Sequence, residues 1–191
     1  MQGSGKLQAL QLLLDALSAA GKRTVVAAHA SLAVLSDYLR LRYGADSFQR
    51  VDDETPAATR DAAVAAFNGA TPPAPQLLLL EVASCSLGTD LHAADSVIVY
   101  DSDGDPSGDI QRFGCARRLG NPARLLVFRL YCSSTLEEVI VAVRSSTLGQ
   151  RSTCLRACYL GRQLVRPVPP SLVVCVSALL ALVVPQVWFA A

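Results

Sequence analysis

Three short apolar runs constrain this chain most: Thr24–Ala28 (TVVAA), Gln76–Val82 around four successive leucines, and Ser96–Tyr100 (SVIVY). Runs of this length and apolarity are strands buried on both faces, as in a parallel sheet covered by helices. The intervening segments supply the helices. Leu7, Leu10, Leu13, Leu14 and Leu17 recur at three- and four-residue spacing, so Lys6–Ala20 is expected as an amphipathic helix stopped by Gly21. Leu32, Leu35, Leu39 and Tyr43 place a second helix over Ser31–Tyr43, ended by Gly44. Thr55-Pro56 predicts a third start, with a Thr cap and Pro at the first helical position, running to Phe67 and Asn68. Phe48–Val51 and Arg124–Tyr131 are further strands. Ser134 and Thr135, each followed three residues on by Glu137 or Glu138, make overlapping capping boxes for a last helix. Strands alternating with helices define an α/β fold of three layers around a mainly parallel sheet.

The expected domain spans 4–144, followed by a basic, Pro-containing linker over 145–170 and an apolar tail over 171–191. No Asp or Glu follows Glu138, whereas Arg144, Arg151, Arg156, Arg162 and Arg166 do. Leu172–Ala191 is uncharged, flanked by Arg162 and Arg166, and is a candidate transmembrane helix by length and apolarity. Pro185 interrupts it. The N-terminus runs straight into the first helix and carries no secretory signal. Six cysteines without a CxxC pair, and only His29 and His92, exclude a structural zinc site and fit reduced core thiols.

Two stretches suggest chemistry. Gly3-Ser4-Gly5-Lys6 resembles the end of a phosphate-binding loop, but no strand precedes it and Leu7 stands where Mg²⁺ coordination needs a hydroxyl. A flexible helix start is the better reading. Asp95–Gly120 is more informative: an apolar strand, a carboxylate turn over Asp101–Asp105, then a helix from Pro106 ending in Arg117 and Arg118. Ligands of open α/β sheets sit at the carboxyl ends of the strands, where that turn lies. Asp101 and Asp103 are expected to satisfy turn and helix-start amides rather than bind metal.

Five blocks in order resemble the second RecA-like lobe of superfamily-two helicases, specifically the Swi/Snf-type chromatin-remodelling ATPases. They are SGKLQALQLLLDAL, DYLRLRYGADSFQRVD with a helix ending AAFN, LLLLEVASCSLGTDLHAADSVIVYDSD, DPSGDIQRFGCARRLGN and RLLVFRLYCSSTLEE. The third resembles the fifth helicase motif and the fourth the sixth. Plant CHD-type remodellers and degenerate Morpheus-molecule silencing proteins are the nearest subgroups, and the resemblance stops near Arg144.

The resemblance implies a RecA-like lobe that closes over ATP held by a first, P-loop-bearing lobe, so ATP and Mg²⁺ are bound only together with that lobe. It also implies DNA, nucleosomes and histones as partners, and a nuclear location. The alternative locations and roles are a tail-anchored membrane protein and a catalytically inactive chromatin scaffold. Arg118 corresponds to the retained arginine finger, with Gln111 beside it. Gly88, Asp90 and Leu91 fall in the nucleotide- and DNA-coupling loop, and Arg112, Arg117 and Arg124 are candidate DNA contacts. No metal ligand is expected in this lobe.

The sequence departs from the family pattern where charge matters most. The sixth motif carries Gln, three residues, Arg, two residues, Arg, one residue, Gly; here the first arginine position is Cys115. Arg117 cannot substitute, because two residues turn it about 200° around a helix. In the fifth motif Ala83 replaces Arg and Asp90 replaces Asn, and Glu81 adds a second carboxylate. The expectation is a lobe with a damaged half-site, inactive toward ATP by itself.

Overall fold

The computed structural model describes residues 4–69, 76–81, 90–101, 125–132 and 135–139, and the backbone of 153–156 and 172–177. Helix α1 spans Gly5–Ala19, strand β1 Thr24–Ala28, helix α2 Leu32–Tyr43, strand β2 Phe48–Val51 and helix α3 Ala57–Asn68. Strands β3 (Leu77–Glu81), β4 (Ser96–Val99) and β5 (Leu126–Cys132) complete the body, and β6 (Thr153–Arg156) and β7 (Leu172–Ser177) come from the C-terminal stretch.

All seven strands join one sheet in the order β2-β3-β1-β4-β5-β7-β6. The five strands β2, β3, β1, β4 and β5 pair in parallel. Alternate side chains of a strand point to opposite faces, so each apolar run supplies two cores. Val26, Ala28, Leu79 and Ile98 pack beneath α1 and α2. Val25, Ala27, Leu78, Leu80 and Val97 pack with Phe67 of α3. That division explains why TVVAA is buried at every position: neither face meets water.

The ends of the sheet are tied differently. At the amino ends, Arg23 donates through its guanidinium to the carbonyls of Phe67 (2.9 Å) and Gly69 (2.5 Å), which capture the end of α3. The Asp95 carboxylate accepts from the Arg23 amide at 3.0 Å and from Lys22 Nζ at 3.3 Å. Inside the sheet Thr24 and Ser96 share a buried hydroxyl hydrogen bond of 2.9 Å. Their polarity is satisfied across the β1–β4 pair rather than left as a cost.

Two expectations change. The third helix begins at Ala57, one residue later than Thr55-Pro56 predicts, and Thr55 is not its cap. The Thr55 hydroxyl instead donates to the Asp52 carboxylate and accepts from the Asp52 amide. Asp52, three residues upstream, outcompetes the helix for it. The same hydrogen bond is the main cause holding the Asp52 carboxyl below the usual carboxylate range.

The second change concerns the apolar tail. Leu172–Ser177 is a strand, antiparallel to β5 in the register Val127↔Ser177 to Cys132↔Leu172. Strand β6, inside the expected linker, pairs with its far side. Valine-rich sequence suits a strand, and β5 would otherwise present an open edge. Among the described residues no helix is long and apolar enough to cross a membrane.

Candidate functional site at the carboxyl edge of the sheet

After β1 the chain turns to one side of the sheet and reaches β2; after β4 it goes to the other side and reaches β5. The crevice outside the carboxyl ends of β1 and β4 is therefore the topological switch point, where open α/β sheets bind ligands. His29 and Tyr100 immediately follow these two strands at this edge; Tyr100 itself is buried.

Asp101 bridges the crevice. Its carboxylate accepts from the His29 amide at 2.5 Å and the Ser31 amide at 2.9 Å. Ser31 is the N-cap of α2 but makes no side-chain capping bond of its own. A helix start is a ready anion site, and here the chain's own carboxylate fills it. This agrees with the expectation that Asp101 satisfies helix-start amides. Asp101→Ala should cost about 2 kcal/mol, because hydrogen bonds to an ionised group are worth more than neutral ones. Urea denaturation measures this; a loss below about 0.5 kcal/mol would show that water replaces the carboxylate at these amides without penalty.

Beside Asp101 lies a junction that sequence reasoning missed. Lys6, in the first turn of α1, donates from Nζ to the Tyr100 carbonyl at 3.1 Å and to Glu137 Oε1 at 2.5 Å. Its ammonium also stands 5.4 Å from the Tyr100 ring centroid. The Lys6 side chain is only 11% exposed. Glu137 uses its second oxygen to accept from the Cys132 amide at 2.9 Å. Burial raises the Tyr100 phenol above its ordinary pKa, against a hydrogen bond with Ser4 that lowers it. Ser4 meanwhile caps α1 by accepting from the Leu7 amide at 3.4 Å. Within the Gly-Ser-Gly-Lys stretch, Ser4 and Lys6 are thus both engaged in contacts of the fold. The available signal was the glutamate pair after Ser134-Thr135, of which Glu137 reaches back to α1 as well as to a backbone amide.

The remaining site expectations divide by position. Gly88, Gln111, Arg112, Arg117, Arg118 and Arg124 lie outside the described residues, as does Cys115. Glu81 ends β3 at the carboxyl edge and accepts from the Asp53 amide at 2.9 Å. Asp90 and Leu91 sit elsewhere, against the end of α3. Asn68 donates to the Asp90 carbonyl at 2.7 Å and accepts from the Ala93 amide at 3.2 Å. Leu91 is 1% exposed, and its side chain packs in the core that contains Phe67. The Asp90 carboxylate faces outward, 3.6 Å from His92 Nδ1.

The described part of this edge does not by itself fit a triphosphate. The α2 amides are taken by Asp101, Lys6 is committed to Glu137, and Glu81 and Asp101 add negative charge. Among the described residues no group of three or more His, Cys, Asp or Glu side chains is placed to hold a metal ion.

A parallel five-strand body with helices on both faces and its crevice between β1 and β4 is a RecA-like lobe. The comparisons give the family. The helicase conserved C-terminal domain matches residues 5–120, and the chain belongs to that family. It is 37% identical over 150 residues to Protein CHROMATIN REMODELING 4 of Arabidopsis thaliana, covering 78% of this chain and 7% of that protein. It is 36% identical over 143 residues to the human SWI/SNF-related matrix-associated actin-dependent regulator of chromatin subfamily A member 1, covering 74% of this chain and 13% of the relative. The C-terminal part of the Fun30 ATPase domain superposes with a TM-score of 0.62 at 23% identity, over 74% of this chain and 46% of that one, a likeness of fold. The chain is therefore a C-terminal helicase lobe of the type found in chromatin-remodelling ATPases, and it spans a small fraction of the relatives' length.

Proposed function

We propose that this lobe works as the second half of an ATP-dependent DNA translocase acting on nucleosomes in the nucleus. The observation that carries the proposal is the switch-point crevice bridged by Asp101, after which the sixth-motif residues follow in the sequence. ATP and Mg²⁺ are held only when a first lobe supplies the phosphate loop; the present sequence contains no complete GxxxxGK[ST]. Arg118 acts as the retained arginine toward the γ-phosphate, where guanidinium offsets charge on the transferred phosphoryl oxygens. Gln111, seven residues before it in the sequence, acts with it, and Gly88 belongs to the loop that couples nucleotide to DNA. Arg112, Arg117 and Arg124 contact DNA phosphates, and histones are met through the nucleosome.

A short DNA duplex titrated against the chain, followed by fluorescence anisotropy, tests the DNA half of this proposal. Three arginine–phosphate contacts give a slope of log affinity against log salt of about −2.7. Each Arg→Ala change should weaken binding and lower the slope by about one. Absence of binding at low salt, or binding indifferent to salt, would contradict the proposal.

A second reading, a catalytically inactive chromatin scaffold, is favoured by specific residues. Cys115 and Ala83 stand at arginine positions of the family pattern. Asp101 fills the α2 amides and Glu81 adds a carboxylate at the same edge.

A further inference from the structure

We infer that Lys6 is a positioning residue for the Tyr100–Asp101 segment. It ties the opening helix and the segment after β5 to the crevice as one junction. The inference deepens the proposed function and rests on it, because the sixth-motif residues follow Asp101 in the sequence.

Three observations converge. The ammonium is nearly buried and has two acceptors on different parts of the chain, the Tyr100 carbonyl and the Glu137 carboxylate. A buried lysine charge is tolerated only when paired and hydrogen-bonded, so the junction is held as a unit. Tyr100 is fixed twice, by its carbonyl and by its ring beneath the same ammonium. The next residue, Asp101, spans the crevice to the His29 and Ser31 amides. Its reach depends on where the Tyr100–Asp101 peptide is set.

Glu137 completes the link. It sits in the helical turn 136–139 and holds the Cys132 amide at the end of β5. The junction thus gathers α1, the exits of β4 and β5, and the turn that follows. Displacing either the opening segment or 136–139 moves the carbonyl that Lys6 holds, and with it the Asp101 bridge. In a lobe that must close against another, this makes the chain's entry and exit sensitive to the state of the crevice.

Amide hydrogen exchange on the whole chain tests this. Lys6→Met removes the charge and retains an unbranched side chain. It should speed exchange of the His29 and Ser31 amides at least tenfold, while the α3 amides of Arg60–Asn68 stay within twofold. Lys6→Arg should restore slow exchange at 29 and 31. Glu137→Gln keeps shape and should give an intermediate acceleration at the same two amides, so the inference stays testable if Lys6→Met fails to fold. A uniform acceleration including α3 would reduce Lys6 to general stability and overturn the positioning role. Unchanged exchange at 29 and 31 in both Lys6→Met and Glu137→Gln would overturn it as well. These measurements need no DNA or nucleotide, so failure of the duplex titration sinks the proposed function while leaving this comparison to decide on Lys6.

Discussion

Replacing Cys115 with arginine is expected to raise ATP turnover about 10³–10⁵-fold when residues 4–144 serve as the second lobe of an intact motor. The comparison would be made in the Arabidopsis relative, with this segment replacing its own second lobe. The family pattern places two arginines three residues apart, and Cys115 and Arg118 occupy those positions. On the helix expected from the sequence for this segment, residues three apart share a face, so arginine at 115 is expected beside Arg118, toward the same phosphoryl oxygens. A thiol supplies neither positive charge nor paired donors there. The rate change equals roughly 4–7 kcal/mol of transition-state stabilisation. Arg118→Ala in the Cys115→Arg background should remove most of the gain. Steady-state phosphate release with saturating duplex DNA measures it. A change below tenfold would mean that position 115 does not face the nucleotide.

Phe67→Ala carries the largest expected loss of stability, about 3–5 kcal/mol. Phe67 is 0% exposed and fills the core between α3 and the sheet, together with Leu91, Leu78 and Leu80. The cavity cannot collapse easily. The Phe67 carbonyl is held by Arg23 on one side. The next residue, Asn68, is held by the Asp90 carbonyl and the Ala93 amide on the other. For a domain of this size the loss corresponds to a fall in melting temperature of roughly 6–20 °C. Circular dichroism during heating reads it directly. A shift under about 3 °C would show that the α3 end repacks around the gap.

The body of the fold was legible in the sequence because its signals are local. TVVAA and the four leucines have no polar face, and the leucines of α1 keep helical spacing, so strand and helix follow without knowledge of partners. The boundary at Thr55 was misjudged by one residue because a hydroxyl three residues from a carboxylate has two possible partners, and only the fold shows that Asp52 takes it. The strand at 172–177 was hidden for a related reason. A valine-rich run suits a membrane helix or a sheet edge equally until β5 is seen to present an edge. The site was half legible. Order and spacing of the motifs pointed to Asp101, which does accept from backbone amides, those of His29 and Ser31 at the start of α2; the rest of the Asp101–Asp105 stretch lies outside the described residues. Lys6 and Glu137 are 131 positions apart, and no local pattern joins them. Leu91 was grouped with the coupling loop by its place in a motif; its burial beside Phe67 depends on packing that no local pattern shows.

The proposal that this chain forms one half of a shared site is tested by phosphate release from Mg²⁺-ATP and duplex DNA by the chain alone, across a range of protein concentrations. No turnover above the protein-free blank is expected, because on the proposed division of labour the phosphate loop and the magnesium carboxylates come from the first lobe. Turnover that rises with the concentration of this chain, and is abolished by Arg118→Ala, would contradict it.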